Sequence, residues 1–95
     1  MRVITRARAK IDLVDIWRYT CETWGESQAD AYMDRIESAL ASVANHPFIG
    51  VDCDWLTKGM RRFTAGHHLI FYRVHDDWIE LVRVLHQSMD PDGKL

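Results

Sequence analysis

The spacing of apolar residues changes once along this chain, and that change limits the folds it can adopt. Through residues 7–43, apolar side chains recur every three or four positions, which is the spacing of one helix face. From residue 60 onward, the chain has short segments rich in β-branched and aromatic residues, which are typical of strands. Helices followed by several strands predict an α+β fold, with the helices covering one face of a small sheet.

The first helical segment ends at a glycine. Its apolar stripe runs from Ala7 to Trp24, and the following Gly25 suits the left-handed conformation that often ends a helix. Asp12 falls on the solvent side of this stripe, whereas Trp17 and Trp24 fall within it. We therefore predict that both tryptophans are core residues and that Asp12 is exposed.

A second helix is predicted between a cap signal and a proline. Ser27 followed three residues later by Asp30 resembles a capping box, with Asp in place of Glu or Gln. Pro47 disfavours helical geometry at His46 and so ends the helix there. Because few residues separate the two helices, they are expected to form an antiparallel hairpin.

The predicted strands are short and closely connected. They are an N-terminal strand around Val3 and then Met60–Thr64, His68–Val74 and Trp78–His86. Turn residues separate the last three, which implies antiparallel neighbours in a mainly antiparallel sheet. The order is β-α-α-β-β-β in one domain, residues 1–95. Both faces of the last strands carry bulky apolar groups, so we expect a partner to cover the face that the helices leave free.

Composition excludes several classes of protein. The formal charge of −2 argues against binding nucleic acid by neutralising many phosphates, although basic residues outnumber acidic ones between residues 57 and 87. With two cysteines and no charged, apolar leader, the chain predicts neither a disulfide framework nor secretion. No apolar run is long enough to span a membrane. We therefore expect a cytoplasmic protein without membrane contact.

A series of short motifs resembles the ParE family of type II toxin–antitoxin systems, a branch of the RelE/ParE superfamily. The motifs are Trp17-Arg18-Tyr19-Thr20, Trp24-Gly25, residues 45–50 with Pro47, Cys53-Asp54, Phe71-Tyr72-Arg73 and Leu85-His86-Gln87. The resemblance implies a helical hairpin on a small antiparallel sheet. It also implies a toxin that inhibits DNA gyrase without a cofactor, contacts DNA only indirectly, and is neutralised by a ParD-like antitoxin whose C-terminal segment wraps it.

Two other functions fit the same superfamily. RelE-like toxins cut mRNA on the ribosome, using basic side chains and often a C-terminal His or Tyr, and Arg61, Arg83 and His86 are the matching candidates here. In one regular strand, however, Arg83 and His86 have opposite parity and should point to opposite faces unless a bulge intervenes, and Gln87 stands where some RNA-cleaving relatives have Tyr. The third possibility is a non-toxic relative that only binds its antitoxin.

The residues predicted to contact the antitoxin or the target are mostly basic. They are Trp55, Arg61, Arg62, Arg73 and His86. A guanidinium suits an acidic partner, but it also keeps a sheet edge charged and unpaired. No metal site is predicted, because His67 and His68 are neighbours that should point to opposite strand faces. Cys53 is expected to be a small buried apolar group.

Overall fold

The computed structural model describes residues 1–95, and its elements follow the predicted order with one addition. Strand β1 (Arg2–Thr5) leads into helices α1 (Ala7–Trp24) and α2 (Glu26–Asn45), followed by strands β2 (Val51–Asp52), β3 (Met60–Ala65), β4 (His68–Val74) and β5 (Trp78–His86). The addition is β2, which at two residues is too short to show a period-two pattern. The predicted α+β class and helical hairpin are confirmed.

The five strands form one sheet in the order β1-β5-β4-β3-β2. The pairs from β2 to β5 are antiparallel, whereas β1 runs parallel to β5. Where β1 ends, the backbone N–H of Arg6 donates to the Leu81 carbonyl at 3.0 Å, so the chain leaves the sheet directly into α1. β5 is therefore flanked by β4 and, over its first half, by β1.

The helices cover one face of the sheet. The buried side chains between the two layers are Ala9, Ile16, Ile36, Ala39, Val43, Ala65, Ile70, Tyr72, Ile79, Leu81 and Val84. Burying one large aliphatic side chain of this kind contributes about 1.5–3 kcal/mol, so this layer is the main source of stability. Neither helix combines the length and apolarity that crossing a membrane requires.

The chain itself covers much of the opposite sheet face. A second buried cluster comprises Cys53, Met60, Phe71, Val82 and Leu85. Leu56 from the β2–β3 loop and Leu95 from the C-terminal segment pack against this cluster. The prediction that a partner covers this face is therefore wrong for its central part, because a loop and the end of the chain fold over it.

A bulge in β5 changes which side chains share a face. Phe71 pairs with Arg83 but Tyr72 pairs with Leu81, so Val82 is an extra residue. As a result, Leu81 and Val84 both lie in the helix-side cluster although they have opposite parity. Alternation resumes after the bulge but is shifted by one residue, so Val84 lies on the helix side and Leu85 on the opposite face.

The helix ends differ from the predictions in two ways. α2 begins directly after Gly25, and the Ser27 side chain caps nothing. Asp30 instead accepts a hydrogen bond from the Trp17 indole at 3.0 Å, across the hairpin. Trp17 is 37% and Trp24 70% exposed, so the prediction that both are core residues is wrong. The positive φ expected of Gly25 is confirmed, although its ψ of 164° is extended rather than left-handed helical.

The exit from α2 is tied to the sheet by a buried tyrosine. The hydroxyl of Tyr72 accepts a hydrogen bond from the Gly50 backbone N–H at 2.9 Å and donates to the Pro47 carbonyl at 2.8 Å. A Cβ atom at Gly50 would lie 2.5 Å from that hydroxyl. Only glycine fits this close approach, which holds the following loop in place.

Candidate partner-binding surface

Four exposed apolar side chains lie within eight residues of the segment between α2 and β3. They are Phe48 at 67%, Ile49 at 47%, Val51 at 59% and Trp55 at 75% exposure. Single exposed apolar residues are ordinary, but a group of them beside basic side chains is typical of a binding surface. We call residues 48–55, together with Arg61 and Arg62 of the adjoining strand β3, the loop surface.

Arg61 contacts both the backbone and an aromatic ring of the loop surface. Its Nη1 donates to the Gly50 carbonyl at 2.7 Å, and its guanidinium lies 4.9 Å from the centre of the Phe48 ring. Because these contacts use part of its hydrogen-bonding capacity, Arg61 shapes the loop surface in addition to contributing positive charge.

Arg62 is the free cation of the loop surface. It forms no ion pair and no side-chain hydrogen bond within the protein, and it lines a recess of ≈ 400 Å³ together with Ile49, Val51, Phe63, Thr64 and Leu69. β2 pairs only with Arg61 and Arg62, so the outer edge of β3 has no strand partner at residues 63–65. An open edge beside an apolar recess can accept an added strand.

Arg73 is engaged inside the protein rather than at this surface. Its Nε donates to the Lys58 carbonyl at 3.1 Å, and its Nη1 lies 3.7 Å from Oε1 of the buried Glu80. Glu80 also accepts hydrogen bonds from Arg6 at 2.7 Å and His75 at 3.0 Å. Burial raises the pKa of Glu80, but these hydrogen bonds and the nearby charges outweigh burial and lower it. Arg73 therefore connects the β2–β3 loop to this buried carboxylate.

Arg83 forms a buried ion pair with Asp12. Its Nε donates to Oδ2 at 2.7 Å and its Nη2 to Oδ1 at 2.9 Å, and Oδ2 also accepts the Val84 backbone N–H at 3.0 Å. The hydrogen bonds from Arg83 to Asp12 raise the Arg83 pKa above its ordinary value. Asp12 is only 8% exposed, so its predicted solvent position is wrong; it faces the edge of β5 beyond the end of β1.

His86 lies at the end of β5, and its hydrogen-bond partner differs from those of Arg61 and Arg83. Its Nδ1 is 2.7 Å from the Ser88 hydroxyl, and its ring meets that of His68 edge-on with centroids 5.3 Å apart. His67 belongs to the turn before β4, and it lines the same recess as His68 and His86. The expectation that His67 and His68 diverge across a strand is therefore wrong.

The three side chains that an mRNA-cleaving site would need are thus each engaged by a different partner. Arg61 is bonded to the α2–β2 loop, Arg83 to Asp12, and His86 to Ser88. Cys53 is 1% exposed as expected, and burial raises its thiol pKa, which disfavours a thiolate nucleophile. No group of three or more His, Cys, Asp or Glu side chains is arranged to hold a metal ion.

Sequence reasoning found part of the loop surface and missed the rest. Trp55, Arg61 and Arg62 were predicted from residue type and position. Phe48, Ile49 and Val51 were missed, although three apolar residues soon after a helix-ending proline are a recognisable signal. The open edge of β3 had no sequence signal, because it depends on how far β2 pairs.

The known proteins that this chain resembles are ParE toxins. A family model described as the ParE toxin of the type II toxin–antitoxin system parDE matches residues 3–91. Toxin ParE1 of Caulobacter vibrioides is 43% identical over 88 residues, covering 93% of this chain and 91% of that protein. Toxin ParE1 of Mycobacterium tuberculosis (strain H37Rv) is 40% identical over 95 residues, covering 99% and 97%.

A solved structure shares the fold at lower sequence identity. A chain of a structure described as the chromosomal ParDE TA system from P. aeruginosa superposes with a TM-score of 0.79 at 18% identity, covering 90% of this chain and 95% of that one. At this identity the likeness shows a common arrangement of strands and helices.

Proposed function

The chain belongs to the ParE toxin family of type II toxin–antitoxin systems, and from this premise we propose that it inhibits DNA gyrase by protein–protein contact and is held inactive by a ParD-like antitoxin. Its action takes place in the cytoplasm, where gyrase acts on the chromosome, and DNA is contacted only through gyrase or the antitoxin. The observation that supports this most is the loop surface, a group of exposed apolar side chains beside the free cation Arg62.

The loop surface suits an antitoxin segment of defined chemistry. An extended segment can pair with the open edge of β3 at residues 63–65 and place apolar side chains over Ile49 and Val51. Acidic residues of the same segment would meet Arg62. Main-chain hydrogen bonds would then supply affinity, while the recess and the guanidinium supply specificity.

Inhibition of gyrase by contact needs no assembled catalytic group. Each side chain that an mRNA-cleaving mechanism would use is already engaged: Arg83, for example, donates from Nε and Nη2 to Asp12 and from Nη1 to the Lys94 carbonyl. A clamped guanidinium has lost the donors that would hold a scissile phosphate. These contacts support the proposal of an inhibitor that acts by contact rather than an enzyme, and such a mechanism requires no cofactor.

The test is a supercoiling and cleavage assay with purified gyrase, run with toxin alone and with toxin plus antitoxin. Blocked supercoiling or trapped cleavage complexes, relieved by the antitoxin, are the expected result. A parallel assay measures mRNA cleavage on translating ribosomes. Cleavage of mRNA with gyrase unaffected would favour the ribonuclease, and antitoxin binding without either activity would favour a non-toxic relative.

A further inference from the structure

A second recess shares no residue with the loop surface. Its volume is ≈ 440 Å³, and it is enclosed by the end of α1, the first half of α2 and the β3–β4 turn. Pockets of this size hold small molecules. We call it the histidine recess, after His67, His68 and His86 in its lining.

Aromatic rings form much of its rim. Tyr19 is 68% and Trp24 70% exposed, although both line the recess and stand on a helix with a buried face. Tyr32 lies deeper, where its hydroxyl accepts the His67 backbone N–H at 2.9 Å. Exposed flat rings beside a cavity provide stacking surfaces for a planar ligand.

The charge of the recess favours an anion. The chain has fourteen acidic residues, yet no Asp or Glu lines this recess. Arg35 supplies a permanent positive charge and forms no ion pair within the protein. A guanidinium without an ion-pair partner matches the oxygens of a phosphate group.

The hydrogen bonds inside the recess hold its floor in place. Nδ1 of His68 is hydrogen-bonded to the Tyr32 hydroxyl, and that hydroxyl also contacts the Ala65 carbonyl. Burial, with smaller effects from His86 and His67, lowers the pKa of His68 to about 4, so this ring is neutral near pH 7. His68 therefore orients the floor, while Arg35 provides the fixed charge.

We propose that the histidine recess binds a nucleoside phosphate, with the base against the rings of Tyr19 and Trp24 and the phosphate beside Arg35, within reach of His67 and His86. Stacking surfaces, one free guanidinium, imidazole donors and an acid-free lining together match that chemistry. A free nucleotide and the end of a nucleic acid strand offer the same groups. An acidic peptide would match the charge but would leave the flat rings without a stacking partner.

The test is calorimetric titration of the full chain with adenosine monophosphate, adenosine, inorganic phosphate and a 5′-phosphorylated oligodeoxyadenylate. We expect adenosine monophosphate to bind. Arg35→Ala should weaken its binding about tenfold or more without changing the weak binding of adenosine, because a charge-assisted contact to phosphate is lost. Trp24→Ala should weaken the binding of both by about fivefold or more, because stacking is lost.

Matched variants separate these effects from a general change in charge or aromatic content. Arg18→Ala removes another exposed arginine of the helical hairpin and Trp55→Ala another exposed tryptophan, and neither residue lines the recess. Both should bind adenosine monophosphate like the parent. Circular dichroism checks that all four variants fold, as expected for exposed positions.

The relative affinities for the mononucleotide and the oligonucleotide distinguish the two possible ligands. Equal affinity for the mononucleotide and the oligonucleotide supports a free nucleotide, and tighter binding of the oligonucleotide supports a strand end. No heat with any nucleotide at millimolar concentration, or unchanged affinity in both Arg35→Ala and Trp24→Ala, would overturn the proposal. An acidic peptide titrated in the same way that binds while adenosine monophosphate does not would also overturn it.

Discussion

Among single residues, Asp12 joins two distant parts of the chain. Its carboxylate receives two hydrogen bonds from Arg83 and one from the Val84 backbone, and it lies 8% exposed between α1 and β5. β1 ends before Val84, so no strand pairs with this part of the edge of β5. The Asp12 carboxylate accepts the hydrogen bond from the Val84 backbone N–H instead. Asp12 therefore adds a polar attachment of α1 to the sheet beside the apolar packing of Ala9 and Ile16.

The variant Asp12→Asn tests this attachment. The amide has nearly the same shape but no charge and one fewer acceptor, so it leaves the Arg83 guanidinium buried without a counterion. Breaking a buried ion pair in this way costs about 3–5 kcal/mol, and we expect a loss of about 3 kcal/mol in the free energy of unfolding. Urea denaturation measures it. Asp15→Asn, an exposed change on the same helix, should cost less than about 0.5 kcal/mol; equal costs would contradict the role of Asp12.

Among the elements, the helical hairpin depends on its connection. One residue, Gly25, separates α1 from α2, and its φ of 94° with ψ of 164° lies in a region that residues with a Cβ avoid. Space is not the constraint, because a Cβ at this position would meet no atom within 4 Å. The backbone conformation alone explains why glycine stands here.

Gly25→Ala should therefore destabilise the protein by about 1–3 kcal/mol through backbone strain. Ser27→Ala is the comparison, since the Ser27 side chain makes no capping hydrogen bond and its loss should cost less than about 0.5 kcal/mol. Thermal and urea unfolding of both variants measure the difference. A larger loss of stability for Ser27→Ala than for Gly25→Ala would mean that Ser27 caps α2 and that backbone strain is not the reason for glycine at position 25.

At the scale of the whole molecule, the charged and apolar parts of the loop surface should act together in binding the antitoxin. Arg62→Glu reverses the free cation, and Trp55→Ala removes the most exposed ring of the surface. Each should raise the antitoxin dissociation constant about tenfold or more with little loss of stability. Surface plasmon resonance gives the affinities.

Arg18→Glu serves as the control for that experiment, because it reverses an exposed charge on α1 away from the loop surface. It should leave the antitoxin affinity within about twofold of the parent. Unchanged affinity in both Arg62→Glu and Trp55→Ala would show that the loop surface does not contact the antitoxin. This conclusion is independent of the result of the gyrase assay.

Stability of the whole fold should fall in mild acid. The pKa of His68 is about 4 in the folded protein against an ordinary 6.5, so between these values the unfolded chain binds a proton that the native ring does not. The free energy of unfolding therefore decreases as the pH falls below about 6.5. The lowered pKa of Glu80 adds a further loss below about 4.5, the ordinary value of that carboxyl.

Denaturant titrations at pH 7.5 and 5.5 measure this effect. Because His68 is partly exposed, we expect a loss of about 1 kcal/mol between these two pH values. His68→Gln should remove most of that loss, whereas His46→Gln, an exposed histidine after α2, should retain it. An equal loss in the parent and in His68→Gln would assign the acid sensitivity to other groups.

The outlines of this protein could be predicted from the sequence. The class, the two helices, the bounds of β4 and β5 and the family resemblance all follow from the identity and spacing of neighbouring residues. Those features are local because a helix or strand is decided by which nearby side chains must share a buried face. Part of the loop surface, Trp55 with Arg61 and Arg62, followed in the same way.

The remainder was decided by contacts between residues far apart in the chain. Asp12 and Arg83 are separated by 71 positions, and no local pattern distinguishes that aspartate from an exposed one. The bulge at Val82, the cover over the second sheet face and the histidine recess likewise arise only when separate elements meet. Spacing along the sequence determines which face of an element is apolar; tertiary structure decides what lies against that face, because burial is a property of the assembled layers.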